Sequence, residues 1–212
     1  MRQRTMMLNA IRGHLAEFGI ITAQGPRNIL ALIAQIQSED RFDLPDIARL
    51  ALLGLAGQLE ALTNEIRALE RRLTAWHRED ATSQRLETIP GVGIVTATAL
   101  SASIPDPSIF KSGRQFAAFL GLVPRQNSSG GKDRLGRISK MGDGYLRRLL
   151  VVGATSVIRR KGANETATGV WIRSLLERKP ARDVTVAMAN KTARIAWAIL
   201  TREDVYRSTP TT

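Results

Sequence analysis

Apolar residues recur at helical spacing through most of the chain, and no stretch alternates convincingly in the two-residue rhythm of a strand. Met6 or Met7, Ala10, Ile11, His14, Leu15 and Phe18 form a stripe that predicts a helix over 2–18, closed by Gly19. Pro26 suits the first turn of a short second helix over 27–37, and Asp43 with Pro45 opens a third. That third helix has the clearest period. Leu52, Leu55, Leu59, Leu62, Ile66, Leu69, Leu73 and Trp76 are spaced alternately three and four apart, an a/d seam through four heptads. From Pro45 to Trp76 it extends roughly 48 Å at 1.5 Å per residue. Such a rod needs a partner for its seam, either a second chain or residues 2–37 folded back upon it. We expect intermolecular pairing, a homo-oligomer through residues 45–76, with an ordinary bundle helix as the plainer alternative.

Asp80–Gln84 is polar and reads as a joint. Leu86 to Ala102, LETIPGVGIVTATALSA, then has the pattern of a helix-hairpin-helix. Leu86 and Ile89 pack one helix end, while Gly91 and Gly93 let the chain reverse and present backbone N–H groups where the next helix begins. Ala97 keeps the two helices close. The plainer alternative is an αα-turn whose glycines serve packing alone. SIPDPSIF reads as a loop, and SGRQFAAFLG as a helix carrying Phe116, Phe119 and Leu120 inward. Asp143 caps a helix with Leu146, Leu149, Leu150 and Val157 on its apolar side. RKGANETATG is a further break, GVWIRSLLERK a short helix and ARDVTVAMANKTARIAWAIL a last, Ala-rich one. The expected fold is all-α: a long coiled-coil helix followed by a compact helical domain containing the hairpin.

Charge divides the chain more sharply than hydrophobicity does. Residues 1–83 carry 10 Lys/Arg and 10 Asp/Glu, whereas 84–212 carry 21 and 9, so the net +12 lies in the second part. An assembly region over 1–83 and a polyanion-binding region over 84–212 are therefore expected, with nucleic acid as the polyanion. The basic residues do not gather on one face of a clean amphipathic helix, which disfavours a membrane surface. No run approaches 18 uncharged apolar residues, and MRQRTMMLNAIRGHL lacks a signal-peptide core. Cysteine is absent, which excludes disulfides and thiolate metal sites and agrees with a cytoplasmic location.

The cations concentrate between Gly121 and Arg148, where Arg125, Lys132, Arg134, Arg137, Lys140, Arg147 and Arg148 face only Asp133 and Asp143. A Ser-Ser-Gly-Gly turn in their midst lets backbone and hydroxyls approach an anion closely, so the stretch reads as a phosphate-handling site; a loop made basic only for solubility is the alternative. His14 and His77 lie outside this stretch, which argues against a Ser-His-Asp hydrolase and His-based metal binding. The GxxxxGK[ST] phosphate loop is not met, since Gln126 stands at the first Gly and Asp133 at the Ser or Thr. What remains is serine among guanidinium groups: Ser128 or Ser129 as nucleophile toward a phosphodiester, or, more commonly, as hydrogen-bond donor to a phosphate it never attacks.

IPGVG and then RQFAAFLGLVPRQNSSGGKDRLGRISKMGDGYLRRLLV resemble the C-terminal transposase domain of the insertion sequence 110/116/902 family, related to the Piv invertases. LNAIRGHLAEFGI and the coiled-coil segment resemble its middle region. The resemblance implies kinship to RNA-guided bridge recombinases, in which a RuvC-like N-terminal domain supplies four acids and magnesium. Their C-terminal domain supplies a serine nucleophile, and the coiled coil assembles dimers and tetramers. By motif position the matching serine is Ser129. The chain opens at the middle region, so the acidic tetrad and its magnesium are expected in a separate domain, with no cofactor or metal site in this chain. Glu39, Asp40, Asp43 and Asp46 do cluster, but on a loop and helix start. The expected function is the DNA-binding portion of an insertion-sequence transposase, with DNA and, by resemblance, a guide RNA as partners. Gly91, Gly93, Arg125, Ser128, Lys132, Arg134, Arg137, Lys140, Arg147 and Arg148 are the expected DNA contacts. The alternative is a non-catalytic DNA- or RNA-binding adaptor, or an inactive transposase remnant, which would tolerate loss of the Ser129 hydroxyl.

Overall fold

The computed structural model describes residues 2–38, 42–127, 135–161 and 166–207. They are mostly helical, in the order α1 (Arg2–Glu17), α2 (Pro26–Ser38), α3 (Asp46–Glu79), α4 (Ala81–Glu87), α5 (Ile94–Ser103), α6 (Gly113–Phe119), β1 (Pro124–Gln126), β2 (Leu135–Ile138), α7 (Gly144–Lys161), α8 (Ala167–Leu176) and α9 (Ala181–Arg202). The chain divides into two compact units, Met1–Arg72 and Leu73–Thr212.

In the first unit α1 ends as its sequence dictates. Gly19 turns to φ +73, and the Ile20 N–H reaches back 2.9 Å to the Leu15 carbonyl. Ile11 and Leu15 of α1, Ile29, Ile33 and Ile36 of α2, and Leu52, Ala56 and Leu59 of α3 form one buried cluster. Residues 2–37 thus fold back on the seam, but only as far as Leu59. Beyond it Leu69 is 59% and Trp76 42% exposed. The fold-back alternative holds for the near half of α3, because α1 and α2 are too short to cover the rest.

The second unit buries Leu86, Ile89, Leu100, Phe116, Leu120, Leu146, Leu150 and Ile172 around α9, which packs against α4, α6, α7 and α8. The α9 stripe of Ala189, Ala193 and Ala196 is fully buried. Small side chains bring its backbone close enough that a Cβ on Gly113 would lie 3.1 Å from the Arg194 carbonyl. Phe119 departs from its expected inward position. It is 46% exposed, its ring resting on Phe110 at 5.1 Å between centroids.

Two local expectations change. The polar joint Asp80–Gln84 is helical from Ala81 onward, because Asp80 caps α4. The basic stretch also contains a short antiparallel hairpin, with Pro124 opposite Ile138 and Gln126 opposite Leu135 across a bulge. Strands of three and four residues carry too little alternation to show in a sequence.

Candidate nucleic-acid interface

The α4–α5 reversal forms first. The Asp80 carboxylate accepts from the Thr82 N–H (2.8 Å) and Ser83 N–H (3.3 Å), and its other oxygen from the Ser101 hydroxyl (2.6 Å), so one side chain caps α4 and ties it to α5. Partial burial pushes this carboxyl up, but the hydrogen bonds from Ser101, Ser83 and Thr82 outweigh it and hold it below the usual carboxylate range. The two glycines of the turn then part ways. Gly91 has φ +86, and a Cβ there would lie 2.6 Å from Val157 Cγ2 and 2.7 Å from the Gly153 carbonyl oxygen. Gly153 returns the contact, its missing side chain replaced by the Gly91 carbonyl. Gly91 therefore docks the turn on α7. Gly93 caps α5, is exposed and has open space around it.

The β1–β2 hairpin and the start of α7 form part of an open groove of about 2190 Å³ within the second unit. Its expected residues sort by what they touch. The Arg147 guanidinium donates to the Leu120 carbonyl (3.0 Å) and the Met141 carbonyl (3.1 Å), closing the end of α6 onto the approach to α7. Arg125 donates across the hairpin to the Ser139 carbonyl (3.2 Å). Both act as clamps on the backbone. Arg137, Lys140 and Arg148 are exposed and line the groove. Lys140 does so from a left-handed backbone, φ +56, a conformation that costs a lysine free energy and tends to persist at functional sites. Asp143 caps α7 through the Tyr145 and Leu146 N–H groups at 2.7 and 3.0 Å. Ser128, Ser129, Lys132 and Arg134 lie outside the described residues, in the segment that joins the two strands.

Other groove residues lie outside the expected DNA contacts. Arg114 lies in the first turn of α6, Lys179 follows α8, and Arg182, Lys191 and Arg194 belong to α9. In all, nine basic residues and one acid, Asp183, line the groove among the described residues. The ion pairs between described residues lie elsewhere, at His14–Glu17, His77–Glu87, Arg85–Glu203 and Arg207–Asp204. A signal for α9 was present: its groove-lining positions Asp183, Ala187, Asn190, Arg194 and Ala198 recur at three- and four-residue steps.

Serine-based hydrolysis finds no support elsewhere among the described residues of the second unit. His77 binds the Ser83 hydroxyl (2.7 Å) through Nδ1 and the Glu87 carboxylate (2.8 Å) through Nε2. This has the membership of a triad, yet Ser83 is wholly buried and no substrate reaches it. The network fastens the end of α3 to α4. Among the described residues no three His, Asp or Glu side chains converge as a metal site would require. Nor is any described helix long and apolar enough to cross a membrane.

The model of the "Transposase IS116/IS110/IS902 family" matches residues 83–168, from α4 through the hairpin and α7 into α8. A Pseudomonas aeruginosa protein named "Probable family 20 transposase" is 46% identical over 97% of this chain. The chain belongs to the IS116/IS110/IS902 transposase family. The transposase for insertion sequence element IS1111A of Coxiella burnetii is 37% identical, and that for IS1328 of Yersinia enterocolitica 38%, each again over 97% of this chain. The chain spans 61%, 57% and 60% of these three transposases respectively. The family match covers the α4–α5 reversal and the hairpin, and ends before α9.

Proposed function

We propose that the second unit is the DNA-binding part of an insertion-sequence transposase, holding the phosphate backbone in the basic groove. The observation that carries this reading is the trio Arg137, Lys140 and Arg148. They belong to the hairpin and its junction with α7, they line one groove, and none has a carboxylate partner among the described residues. Cations gathered without counter-ions repel one another, and a polyanion relieves that repulsion. The exposed Gly93 at the start of α5 adds a helix-hairpin-helix type of backbone contact, where N–H groups without intrahelical partners meet a phosphate. A guide RNA falls within the same proposal as a second phosphate-bearing partner. Leu69 and Trp76, exposed on the far half of the α3 seam, support self-association through a coiled coil.

Ser129, in the strand-joining segment, is our candidate nucleophile. Its oxygen forms a bond to phosphorus as one ester bond of the phosphodiester breaks and the departing sugar oxygen takes up a proton. Among the described residues no three His, Asp or Glu side chains converge, and we assign any magnesium to a separate domain. By itself the chain then binds DNA without cutting it.

The test is a titration of a DNA duplex at several salt concentrations. Each neutralised phosphate contributes a log–log slope of roughly −0.9, so replacing Arg137, Lys140 and Arg148 with Ala should weaken binding and flatten the slope by about 2.7. A slope near zero for the unaltered protein would falsify DNA binding. For the nucleophile, the chain mixed with an intact family member should yield a covalent protein–DNA adduct that Ser129→Ala abolishes, with affinity held within about threefold. An adduct persisting in the alanine variant rules Ser129 out.

A further inference from the structure

The last helix was notable in the sequence only for its alanines, yet it has two working faces. Val184, Met188, Ala189, Ala193, Ala196 and Ile199 are buried in the core. The other face lines the groove with Arg182, Lys191 and Arg194, and its sole acid is Asp183 at the first turn. An ordinary solvated face mixes charges of both signs. This one does not.

Lys191 is the telling residue. It is partly buried, and its ammonium sits 4.5 Å from the centroid of the Trp171 ring on α8. Desolvation pushes its pKa down, so the environment already disfavours its charge. No carboxylate pairs with it among the described residues. The ring face offsets a small part of that cost, whereas a buried cation is ordinarily retained with a full counter-charge. An anion entering the groove supplies one. Arg194 lies against the start of α6, its backbone meeting Gly113, which places Arg114 on the neighbouring turn of the same groove.

We propose that Lys191 and Arg194 of α9, with Arg114 of α6, form a second phosphodiester-binding surface of the groove, distinct from the cations of residues 121–148. The proposal rests on the reading that the second unit binds nucleic acid, and adds which helix holds the backbone. Lys191 is the anchor. Its ammonium rests over the Trp171 ring, so little side-chain freedom is lost when a phosphate docks. Arg194, exposed on the next turn, takes the following phosphate.

The experiment uses the full chain and a 30-base-pair duplex of arbitrary sequence, read by fluorescence anisotropy between 50 and 300 mM salt. Arg194→Gln changes an exposed side chain and should leave the fold intact while reducing the magnitude of the slope by about 0.9; Lys191→Gln with Arg194→Gln should reduce it by about 1.8. Lys191→Arg keeps the charge and should restore the slope, which a merely structural lysine would not require. A parallel arm with an RNA duplex tells whether the phosphodiester of either nucleic acid is accepted. Slopes unchanged in both glutamine variants, while the unaltered chain binds with a steep salt dependence, would overturn the α9 surface and leave the DNA-binding reading standing. An unaltered chain without salt-dependent binding overturns both. Loss of the slope in Lys191→Arg as well shows that shape rather than charge matters, and the proposal fails.

Discussion

The two halves of the α3 seam have the same spacing and different surroundings. Leu52 and Leu59 are buried beneath α1 and α2, while Leu69, also a leucine of the seam but in register with the half-buried Leu55 and Leu62, is 59% exposed. The second unit shows the same contrast in charge. Arg147 spends its guanidinium on two backbone carbonyls, while Arg148, its neighbour in sequence, lies exposed in the groove. A repeating pattern defines which residues are equivalent along an element. What each one does depends on what the rest of the chain brings to that side.

The largest expected effect tests the seam. Leu59→Ala should cost about 2–5 kcal/mol in urea unfolding, from lost burial and the cavity left behind. Leu69→Ala should change the stability of the isolated chain by about 0.5 kcal/mol or less. A larger cost for Leu69 that grows with protein concentration would show that a second copy covers the far half. Equal costs at all concentrations would erase the distinction between the halves.

An intermediate effect concerns the docking of the hairpin turn. Gly153→Ala on α7 would drive a methyl group into the Gly91 carbonyl, and overpacking of this kind costs about 1–3 kcal/mol. Gly93→Ala meets open space at the same turn and should be nearly neutral for stability. If the two substitutions prove equal in thermal melting, the close approach of the turn to α7 is not a constraint.

The smallest effect is a pH dependence. The folded-state pKa of Asp80 is lowered, so its contribution is fully present above the ordinary carboxylate range. It is lost as pH falls through the folded value. Urea midpoints measured downward from pH 6 should therefore decline in acid, and Asp80→Asn should flatten that decline. An unchanged acid limb in Asp80→Asn would mean that the Ser101 and cap hydrogen bonds do not favour the ionised form.

Much of this was legible before any tertiary contact was known. The helix starts and stops followed from caps and breakers, such as Gly19 closing α1 and Asp143 opening α7, because those interactions reach only a few residues along the chain. The charge division was equally plain, and so was the IPGVG turn. The short hairpin was not, since strands of three and four residues carry too little alternation, and the segment leading into it is held by distant residues. Asn190 donates to the Leu122 carbonyl from 68 residues away, and Arg147 to that of Leu120.

By itself the sequence determined the helices, the seam and the cationic second part, because periodicity, capping and net charge are properties of neighbours in the chain. Only the tertiary structure decided that Gly91 serves packing while Gly93 stays open. It also decided that Arg125 and Arg147 serve the backbone, and that α9 turns Lys191 and Arg194 toward the hairpin's groove. Those outcomes depend on which distant backbone and which distant charges approach a residue, and no local pattern encodes that approach.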